Sequence, residues 1–187
     1  CERREGRRKE AEVRAVGCGV GAELRRAARP TTPRCATGAR MRSHVIANPR
    51  AGRFASSPGA LDRLRRGCAP HATVHVTGTL EELRRAVGRV REERAEVVAL
   101  CGGDGTHMAC VSALSQEYAG QPLPAIVLAT GGHANTVARN WCAKPEPPEV
   151  HVPRVLGALH GGARFTQRRR PTLRVTDSTG TTRVGFI

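Results

Sequence analysis

Cys101-Gly102-Gly103-Asp104-Gly105-Thr106 is the stretch that decides the fold, because it joins an apolar strand pattern at residues 96–101 to a helical pattern at residues 106–116. Its glycines allow another group to approach the backbone closely, and the helix N-terminus offers N–H groups and a positive dipole end to a phosphate. The Thr106 hydroxyl is a further donor, and the Asp104 carboxylate is suited to binding Mg²⁺ or accepting a proton. The structural alternative is a tight turn in which Asp104 caps a helix.

Strand and helix patterns alternate on both sides of this turn. Thr79 precedes a helical stripe that has Glu81 and Glu82 in its first turn, as expected of a capped helix. The alternation predicts an α/β fold with a parallel sheet and helices on both faces, in which ligands bind beyond the carboxyl ends of the strands. The predicted strands are residues 44–47, 72–76, 96–101 and 124–129, and the predicted helices are residues 79–92, 106–116 and 134–141.

Two further turns follow predicted strands and therefore fall at the same edge of the sheet. Asn48-Pro49-Arg50-Ala51-Gly52 comes after the first strand, and Gly131-Gly132-His133-Ala134-Asn135 comes after the fourth. Each alone is an ordinary turn, but with the 101–106 turn they place three phosphate-compatible backbones side by side. The chain has no GxxxxGK[ST] phosphate loop. Phosphate charge would then be met by backbone N–H groups, Mg²⁺ and side chains near the turns: Arg50, Arg53, Arg139, His107 and His133.

The amino-terminal segment, residues 1–40, differs from the rest of the chain. It lacks core periodicity and precedes Met41, so we expect a non-native or disordered basic tail. The Gly17-Cys18-Gly19-Val20-Gly21-Ala22 run loosely fits a dinucleotide pattern, but no acidic residue follows at residues 36–43 to hold a ribose.

Two domains are expected after this tail. Residues 41–150 are predicted to form a nucleotide-binding domain, whose pattern is broken by Pro145-Glu146-Pro147-Pro148. Residues 151–187 are predicted to hold a linker and the first hairpin of an incomplete β-rich domain. Within that segment we expect a short helix at residues 153–160 and strands at residues 172–176 and 183–187.

The composition of the 187-residue chain narrows the classes of function. Its net charge of +15 favours phosphate groups or an anionic membrane face as partners, although a coding bias towards arginine on solvated faces would give the same charge. Aromatic residues make up only 3%, which argues against a nucleic-acid binder built on base stacking. The seven cysteines show no metal-ligand spacing, and no apolar run reaches the length of about 18 residues needed to span a bilayer. These features predict a cytoplasmic protein, attached peripherally to the inner membrane face.

The three turns, in this order and at these spacings, resemble the diacylglycerol kinase catalytic-domain family, which is related to sphingosine and ceramide kinases. The resemblance covers roughly residues 43–187. It implies a first domain that binds ATP and Mg²⁺, a β-sandwich second domain that holds the lipid, and transfer of the γ-phosphoryl group to a lipid hydroxyl such as that of diacylglycerol. By position it implies Asp104 as catalytic residue and Mg²⁺ ligand, and the following residues as the nucleotide site: Asn48, Pro49, Arg50, Ala51, Gly52, Thr77, Gly102, Gly103, Asp104, Gly105, Thr106, Gly132, His133 and Asn135.

Three positions depart from the family's pattern. His133 stands where many members have Thr, Thr136 where many have Asp, and Ala109 where many have Glu. Two alternatives therefore stay open: an NAD kinase-like enzyme, whose family also carries a GGDG turn, and a non-catalytic nucleotide-binding remnant. The expected partners are a nucleotide and a lipid at a membrane surface, with no nucleic acid, and the oligomeric state is open. Because the second domain is incomplete, we expect the chain alone not to phosphorylate lipid.

Overall fold

The computed structural model describes residues 12–17, 41–140, 146–180 and 182–186. Strands and helices alternate along the chain from residue 43 to residue 140. The strands are β1 (Glu12–Gly17), β2 (Ser43–Ala47), β3 (Thr73–Val76), β4 (Val97–Gly102), β5 (Ala125–Thr130), β6 (Thr166–Thr176) and β7 (Thr182–Phe186). The helices are α1 (Gly52–Ser56), α2 (Ala60–Cys68), α3 (Leu80–Glu92), α4 (Asp104–Tyr118), α5 (Thr136–Asn140) and α6 (Pro148–His160).

Four strands form a parallel sheet in the order β3-β2-β4-β5. In its register Ala47 pairs with Val76 and with Cys101, and Cys101 pairs with Ala129. These residues lie at or next to the carboxyl ends of their strands, so the turns that follow all emerge at one edge of the sheet. The predicted α/β class is confirmed, and each of the four strands lies within one residue of its predicted bounds.

Both faces of this sheet are covered, because successive side chains of a strand point to opposite sides. Ile46 and Leu100 belong to the core beneath α3 and α4, whereas Ala47 and Cys101 belong to the core beneath α2 and α6. Strands β4 and β5 are consequently apolar along nearly their whole length. The edge with the turns is left as the part of the sheet that a ligand can reach.

Helix α3 begins where the sequence predicts. The Thr79 hydroxyl accepts a hydrogen bond from the backbone N–H of Glu82 at 3.2 Å, and the Glu82 carboxylate accepts one from the backbone N–H of Thr79 at 3.0 Å. The same carboxylate also accepts from the N–H of Gly78 at 2.7 Å. These reciprocal bonds form a capping box, which holds the turn after β3 in place.

Three helical segments differ from the predictions. Helices α1 and α2 were not predicted, although α2 buries Ala60, Leu64 and Cys68 at a spacing of four residues. Helix α6 begins at Pro148 rather than at residue 153, and its Val152 and Leu156 pack in the same core as Leu64. The expected domain boundary after residue 150 therefore falls inside α6, and residues 151–160 pack with the first domain instead of forming a linker.

The predicted hairpin is present as β6 and β7, which pair antiparallel. Strand β6 starts at Thr166, earlier than predicted. The Ser112 hydroxyl of α4 accepts from the N–H of Val184 and donates to its carbonyl oxygen, both at 2.9 Å. The buried Val184 side chain packs into the core beneath α4. These contacts attach the hairpin to the first domain.

The structure departs from the expected disordered tail at residues 12–17. Strand β1 pairs parallel with β5 and antiparallel with β6, so that the seven described strands follow the order β3-β2-β4-β5-β1-β6-β7. Backbone hydrogen bonds to two neighbouring strands define this strand, and such bonds leave no mark on local side-chain periodicity. The other residues of the 1–40 segment, Trp141 at the end of the predicted 134–141 helix, and Ile187 lie outside the described residues.

Within the part of the chain that the structure describes, none of the helices has the length and apolar character needed to cross a bilayer.

Candidate nucleotide site at the carboxyl edge of the sheet

The turns after β2, β4 and β5 are joined to one another by backbone hydrogen bonds. The N–H of Asn48 donates to the carbonyl oxygen of Cys101 at 3.1 Å, and the N–H of Gly131 donates to that of Gly102 at 2.8 Å. The N–H of Arg53 donates to the carbonyl oxygen of Gly131 at 2.9 Å. The three turns that the sequence places at one edge therefore form one connected surface.

Glycine is required where the second and third turns touch. A Cβ atom added to Gly132 would lie 2.5 Å from the Cα atom of Gly103, and one added to Gly131 would lie 3.0 Å from the Cα atom of Gly102. A Cβ atom on Gly102 would also lie 2.5 Å from the Cβ atom of Thr106. The glycines of both motifs thus serve first to let two backbones approach each other, whereas a Cβ atom on Gly105 would meet no atom within 4 Å.

The first turn is held to the second by a side chain. The Asn48 amide nitrogen Nδ2 donates to the Thr106 hydroxyl at 3.0 Å, and the Asn48 oxygen Oδ1 accepts from the N–H of Arg50 at 2.9 Å. Ala51 is buried in the core, and the N–H of Thr77 donates to the carbonyl oxygen of Ala47 at 2.9 Å. The predicted residues of the β2 and β3 turns are therefore brought to the same edge as Thr106.

Asp104 is engaged by helix α5. Its oxygen Oδ2 accepts from the backbone N–H of Thr136 at 3.0 Å, and its oxygen Oδ1 accepts from that of Val137 at 2.9 Å. A carboxylate that accepts the first N–H groups of a helix stabilises that helix end. Asp104 therefore acts as a helix cap, which was the structural alternative, but it caps α5 and not α4. The N-cap residue of α4 is Gly103, which has no side chain to form a cap hydrogen bond.

Asn135 and His133 shape the third turn in different ways. Asn135 is buried, has a backbone φ of 51°, and exchanges two hydrogen bonds with Gly132, at 2.8 and 2.6 Å. It therefore fixes the loop, and α5 starts two residues later than predicted. His133 is exposed, and its ring lies so close to Gly52 that a Cβ atom there would be 2.7 Å from the ring carbon Cε1. His133 consequently stands between the first and third turns.

Arg53 is not free to meet a phosphate. Its guanidinium pairs with Glu149 of α6, with Nε at 3.1 Å from Oε1, and Arg63 approaches the same carboxylate oxygen at 3.4 Å. Burial raises the pKa of Glu149, but the hydrogen bond from Arg53 and the other bonds to the carboxylate outweigh it, so the pKa lies below its usual value. Sequence reasoning missed Glu149 because no motif contains it. Arg50 and Arg139 remain as exposed arginines beside the turns.

His107 is also removed from the candidate site. Its side chain is fully buried, and its Nε2 atom lies 3.2 Å from the carbonyl oxygen of Ala129. Burial lowers the pKa of His107, so the ring favours the neutral form. The hypothesis that His107 touches phosphate is not supported, because the side chain faces the core beneath α4 and not the edge of the sheet.

The donor set for Mg²⁺ at this edge is small. Within the described residues, no three His, Cys, Asp or Glu side chains converge in a way that could hold a metal ion. Asp104 supplies one carboxylate, and each of its oxygens keeps acceptor capacity beyond the one N–H that it binds. Mg²⁺ is commonly held by one or two carboxylates together with substrate phosphates. The residues therefore fit an ion that arrives with a nucleotide rather than one held by the protein alone.

A parallel sheet with connected glycine-rich turns at its carboxyl edge is typical of a nucleotide-binding domain. The family model described as the diacylglycerol kinase catalytic domain matches residues 42–160, and the chain belongs to that family. The predicted family is confirmed.

Among solved structures, the chain is similar to a diacylglycerol kinase from Bacillus anthracis str. Sterne, with 18% sequence identity and a TM-score of 0.49. The alignment covers 61% of this chain and 40% of that one, so the chain spans less than half of that protein. Comparison with curated protein sequences finds no match.

Proposed function

We propose that the protein is an ATP-dependent lipid kinase, which transfers the γ-phosphoryl group of ATP to a lipid hydroxyl such as that of diacylglycerol. The observation that carries the proposal is the joining of three turns, by backbone bonds of 2.8 to 3.1 Å, at one edge of the sheet in a member of this kinase family. The lipid would be presented at a membrane surface, with the protein on its cytoplasmic side.

The proposed phosphate cradle uses the start of helix α4. The first N–H groups of a helix have no hydrogen-bond partners within the helix, and they carry a partial positive charge that attracts an anion. Gly105 has open space around it, and the Thr106 hydroxyl is oriented by Asn48. Arg50 and Arg139, both exposed, would supply positive charge beside the phosphates. Thr77 and His133 would border the nucleotide at the β3 turn and the third turn.

Asp104 would be the catalytic residue and a protein ligand of Mg²⁺. Mg²⁺, when bound with ATP, neutralises charge on the phosphates. The Asp104 carboxylate could then hold the ion or accept the proton of the lipid hydroxyl through the lone pairs that α5 leaves unused. Its bonds to Thr136 and Val137 would fix its orientation.

A second candidate is a nucleotide-binding domain without catalysis. It is favoured by the engagement of both Asp104 oxygens in capping α5, because this structural role accounts for an aspartate at position 104 without any reaction. This candidate predicts that the protein binds the nucleotide as strongly as the kinase candidate would. It also predicts that phosphoryl transfer does not depend on Asp104.

Nucleotide binding is the primary test, because it requires no ordered acceptor. Calorimetric titration of the chain with ATP, with and without Mg²⁺, should show saturable binding that Mg²⁺ strengthens, and NAD should bind more weakly. Tighter binding of NAD would move the assignment to an NAD kinase-like enzyme. Absence of binding to either nucleotide would contradict both candidates.

The acceptor class is tested separately with radiolabelled ATP and mixed micelles of diacylglycerol, sphingosine and ceramide, in a longer form of the protein that carries the second domain, because we expect the chain alone to give no labelled lipid. A labelled lipid phosphate supports a lipid kinase, and separation of the products identifies the acceptor. Labelled NADP in a parallel reaction with NAD would contradict the lipid assignment.

The variant Asp104→Asn separates catalysis from capping. Loss of a general base lowers the rate of transfer by about 10²–10⁴-fold, whereas loss of one cap hydrogen bond lowers the free energy of unfolding by about 1 kcal/mol. In a longer form of the protein that carries the second domain, we expect the larger effect on transfer, with ATP affinity changed less. Asp62→Asn, at an exposed carboxylate 3.6 Å from Arg65 on α2, is the control and should change neither. Near-normal transfer by a folded Asp104→Asn protein would leave Asp104 with the capping role alone.

A further inference from the structure

The outer face of the β6–β7 hairpin carries exposed apolar side chains. Among the described residues five large apolar side chains are exposed, and three of them, Met108, Leu173 and Val175, are 43%, 53% and 54% exposed. Leu173 and Val175 are two residues apart on β6, so they lie on the same face of the hairpin. The buried Val184 pairs with Arg174 on the other face, which packs against the core beneath α4. Leu173 and Val175 therefore face away from that core.

Met108 of α4 continues this apolar surface onto the neighbouring strand. Gly185 of β7 lies opposite Leu173 in the register, so both residues face the same side. A Cβ atom added to Gly185 would lie 3.0 Å from the Met108 methyl carbon Cε. The Met108 side chain therefore covers β7 beside Leu173, where glycine supplies no side chain. We call Met108, Leu173 and Val175 the hairpin patch.

The hairpin patch is bordered by positive charge. Arg183 lies opposite Val175 in the register, on the same face, and is exposed. Residues 161–187 contain six arginines and one acidic residue, Asp177. The Asp177 carboxylate accepts a hydrogen bond from the N–H of Thr179 at 2.9 Å, within the turn of the hairpin. The segment consequently combines exposed apolar side chains with a strong excess of positive charge.

This combination fits the surface of an anionic bilayer. Apolar side chains insert at the boundary between headgroups and acyl chains, and arginines beside them attract anionic lipids. A second copy of the chain fits less well, because a two-fold interface would bring two positively charged patches together. A single-stranded nucleic acid would require aromatic side chains on which bases stack, and none of the three residues in the hairpin patch is aromatic.

We propose that the hairpin patch docks on a bilayer that contains anionic lipids, with Leu173 and Val175 inserted below the headgroups and Arg183 at the lipid phosphates. The proposal rests on the proposed function for the lipid acceptor, and it adds which surface of the protein meets the bilayer. Apolar burial and charge attraction contribute together, so loss of either one weakens docking.

The hairpin patch lies along α4 on the way to the candidate site. Gln116 Nε2 donates to the carbonyl oxygen of Thr182 at 3.1 Å, and Met108 covers Gly185, so β7 runs towards the amino end of α4. Asp104 and Met108 are four residues apart, which places them on the same side of α4, about 6 Å apart along its axis. A bilayer docked on the hairpin patch therefore lies on the side of α4 that carries the proposed catalytic carboxylate.

Co-sedimentation of the full chain with vesicles, in the absence of nucleotide, tests the proposal. Phosphatidylcholine vesicles that contain phosphatidylserine should bind the protein saturably, and added salt should weaken the binding. Vesicles of phosphatidylcholine alone should bind it much more weakly. The double variant Leu173→Thr with Val175→Thr keeps β-branched residues in an exposed strand and should weaken binding about tenfold or more. Arg183→Gln should weaken it about fivefold.

Matched variants distinguish this surface from general adsorption of a basic protein. Val150→Thr changes a valine that is 50% exposed on α6, and Arg66→Gln changes an exposed arginine on α2. Both helices cover the other face of the sheet. Both variants should bind vesicles like the parent. Equal weakening by the control variants, or unchanged binding by the hairpin variants, would overturn the proposal.

A second measurement reports the orientation of the docked protein. The sequence has two methionines, Met41 and Met108, so protein labelled with ¹³C at the methionine methyl groups gives two signals. A spin-labelled lipid in the same vesicles should broaden the Met108 signal more than that of Met41, which packs against the core beneath α2 and α6. Equal broadening of the two signals would contradict the proposed orientation. A dimer in light scattering that the double variant dissociates would assign the hairpin patch to a second copy instead.

Titration with Mg-ATP separates this proposal from the proposed function. The hairpin variants should bind Mg-ATP like the parent, because none of the changed residues belongs to the three turns. Patch-dependent vesicle binding without any binding of ATP would contradict the proposed function and leave the docking surface standing. Normal binding of ATP with vesicle binding that ignores the hairpin variants would overturn the docking surface alone.

Discussion

Replacement of Gly132 by alanine tests whether the two glycine-rich turns depend on direct backbone contact. The added Cβ atom would lie 2.5 Å from the Cα atom of Gly103 and 3.2 Å from the Asn135 oxygen Oδ1. Carbon atoms pack at about 3.5–4.0 Å, so the turns must separate by roughly 1 Å. A change of side-chain rotamer cannot relieve this contact, because the backbone sets the positions of both the added Cβ atom and the Cα atom of Gly103.

The expected loss of stability is that of an overpacked site, about 1–3 kcal/mol. For a protein of this size, each kcal/mol changes the melting temperature by about 2–4 °C, so Gly132→Ala should lower it by roughly 2–12 °C. A displacement of about 1 Å also takes backbone N–H groups out of hydrogen-bonding range of a phosphate, and loss of one such bond weakens ATP binding about tenfold or more.

Thermal unfolding and calorimetric titration with Mg-ATP measure the two effects separately. Gly105→Ala is the stability control, because its Cβ atom would meet nothing within 4 Å and alanine is the better helix former by about 0.5–1 kcal/mol. It should melt at or above the temperature of the parent. If Gly132→Ala melts like the parent and binds Mg-ATP with the same affinity, the close contact of the turns is not needed for either property.

Two further predictions concern stability. Ala119, the residue that caps the end of α4, has a backbone φ of 45°. Ala119→Gly should raise the free energy of unfolding, measured by urea titration, by about 0.5–1 kcal/mol, because glycine relieves left-handed strain of about 1–2 kcal/mol at some entropic cost. A lower free energy of unfolding than that of the parent would show that the strain is absent. The Nδ1 atom of His44 lies 2.9 Å from the Nε2 atom of His75. Burial lowers the pKa of His44, and burial together with the charge of His44 lowers the pKa of His75. For both histidines these effects outweigh the attraction of Glu93, which raises the pKa. Because the unfolded chain then binds protons more tightly, stability should be fully present above the ordinary histidine pKa of 6.5 and decline as the pH falls from there through the lower pKa values of the folded state. Urea unfolding across this range should show the slope, and His75→Gln should reduce it.

Local sequence patterns determined the order of the elements and the position of the candidate site. The apolar runs at residues 96–101 and 124–129 predict strands because buried parallel strands need apolar side chains on both faces. Thr79 and Glu82 predict the start of α3 because a capping box involves residues only three apart. Since turns after parallel strands emerge at one edge, the glycine motifs could be assigned to a common site without coordinates.

The same patterns could not predict which polar groups the fold would occupy. Asp104 reaches the N–H groups of residues 136 and 137, Arg53 reaches Glu149, and His107 turns towards Ala129. Each partner lies more than 20 positions away along the chain, beyond the three or four residues over which helical and turn signals act. Among the candidates for phosphate contact, the tertiary contacts therefore separate the exposed Arg50 and Arg139 from the engaged Arg53.

What the sequence by itself determined about this protein is an α/β domain with glycine-rich turns at the carboxyl edge, because strand apolarity, helix caps and glycine turns are local properties of the chain. Only the tertiary structure decided that α6 packs with the first domain and that β1 enters the sheet between β5 and β6. These features depend on sheet register and on which helices meet. Register and packing are set by the sum of many weak contacts between distant residues, and no single segment encodes that sum.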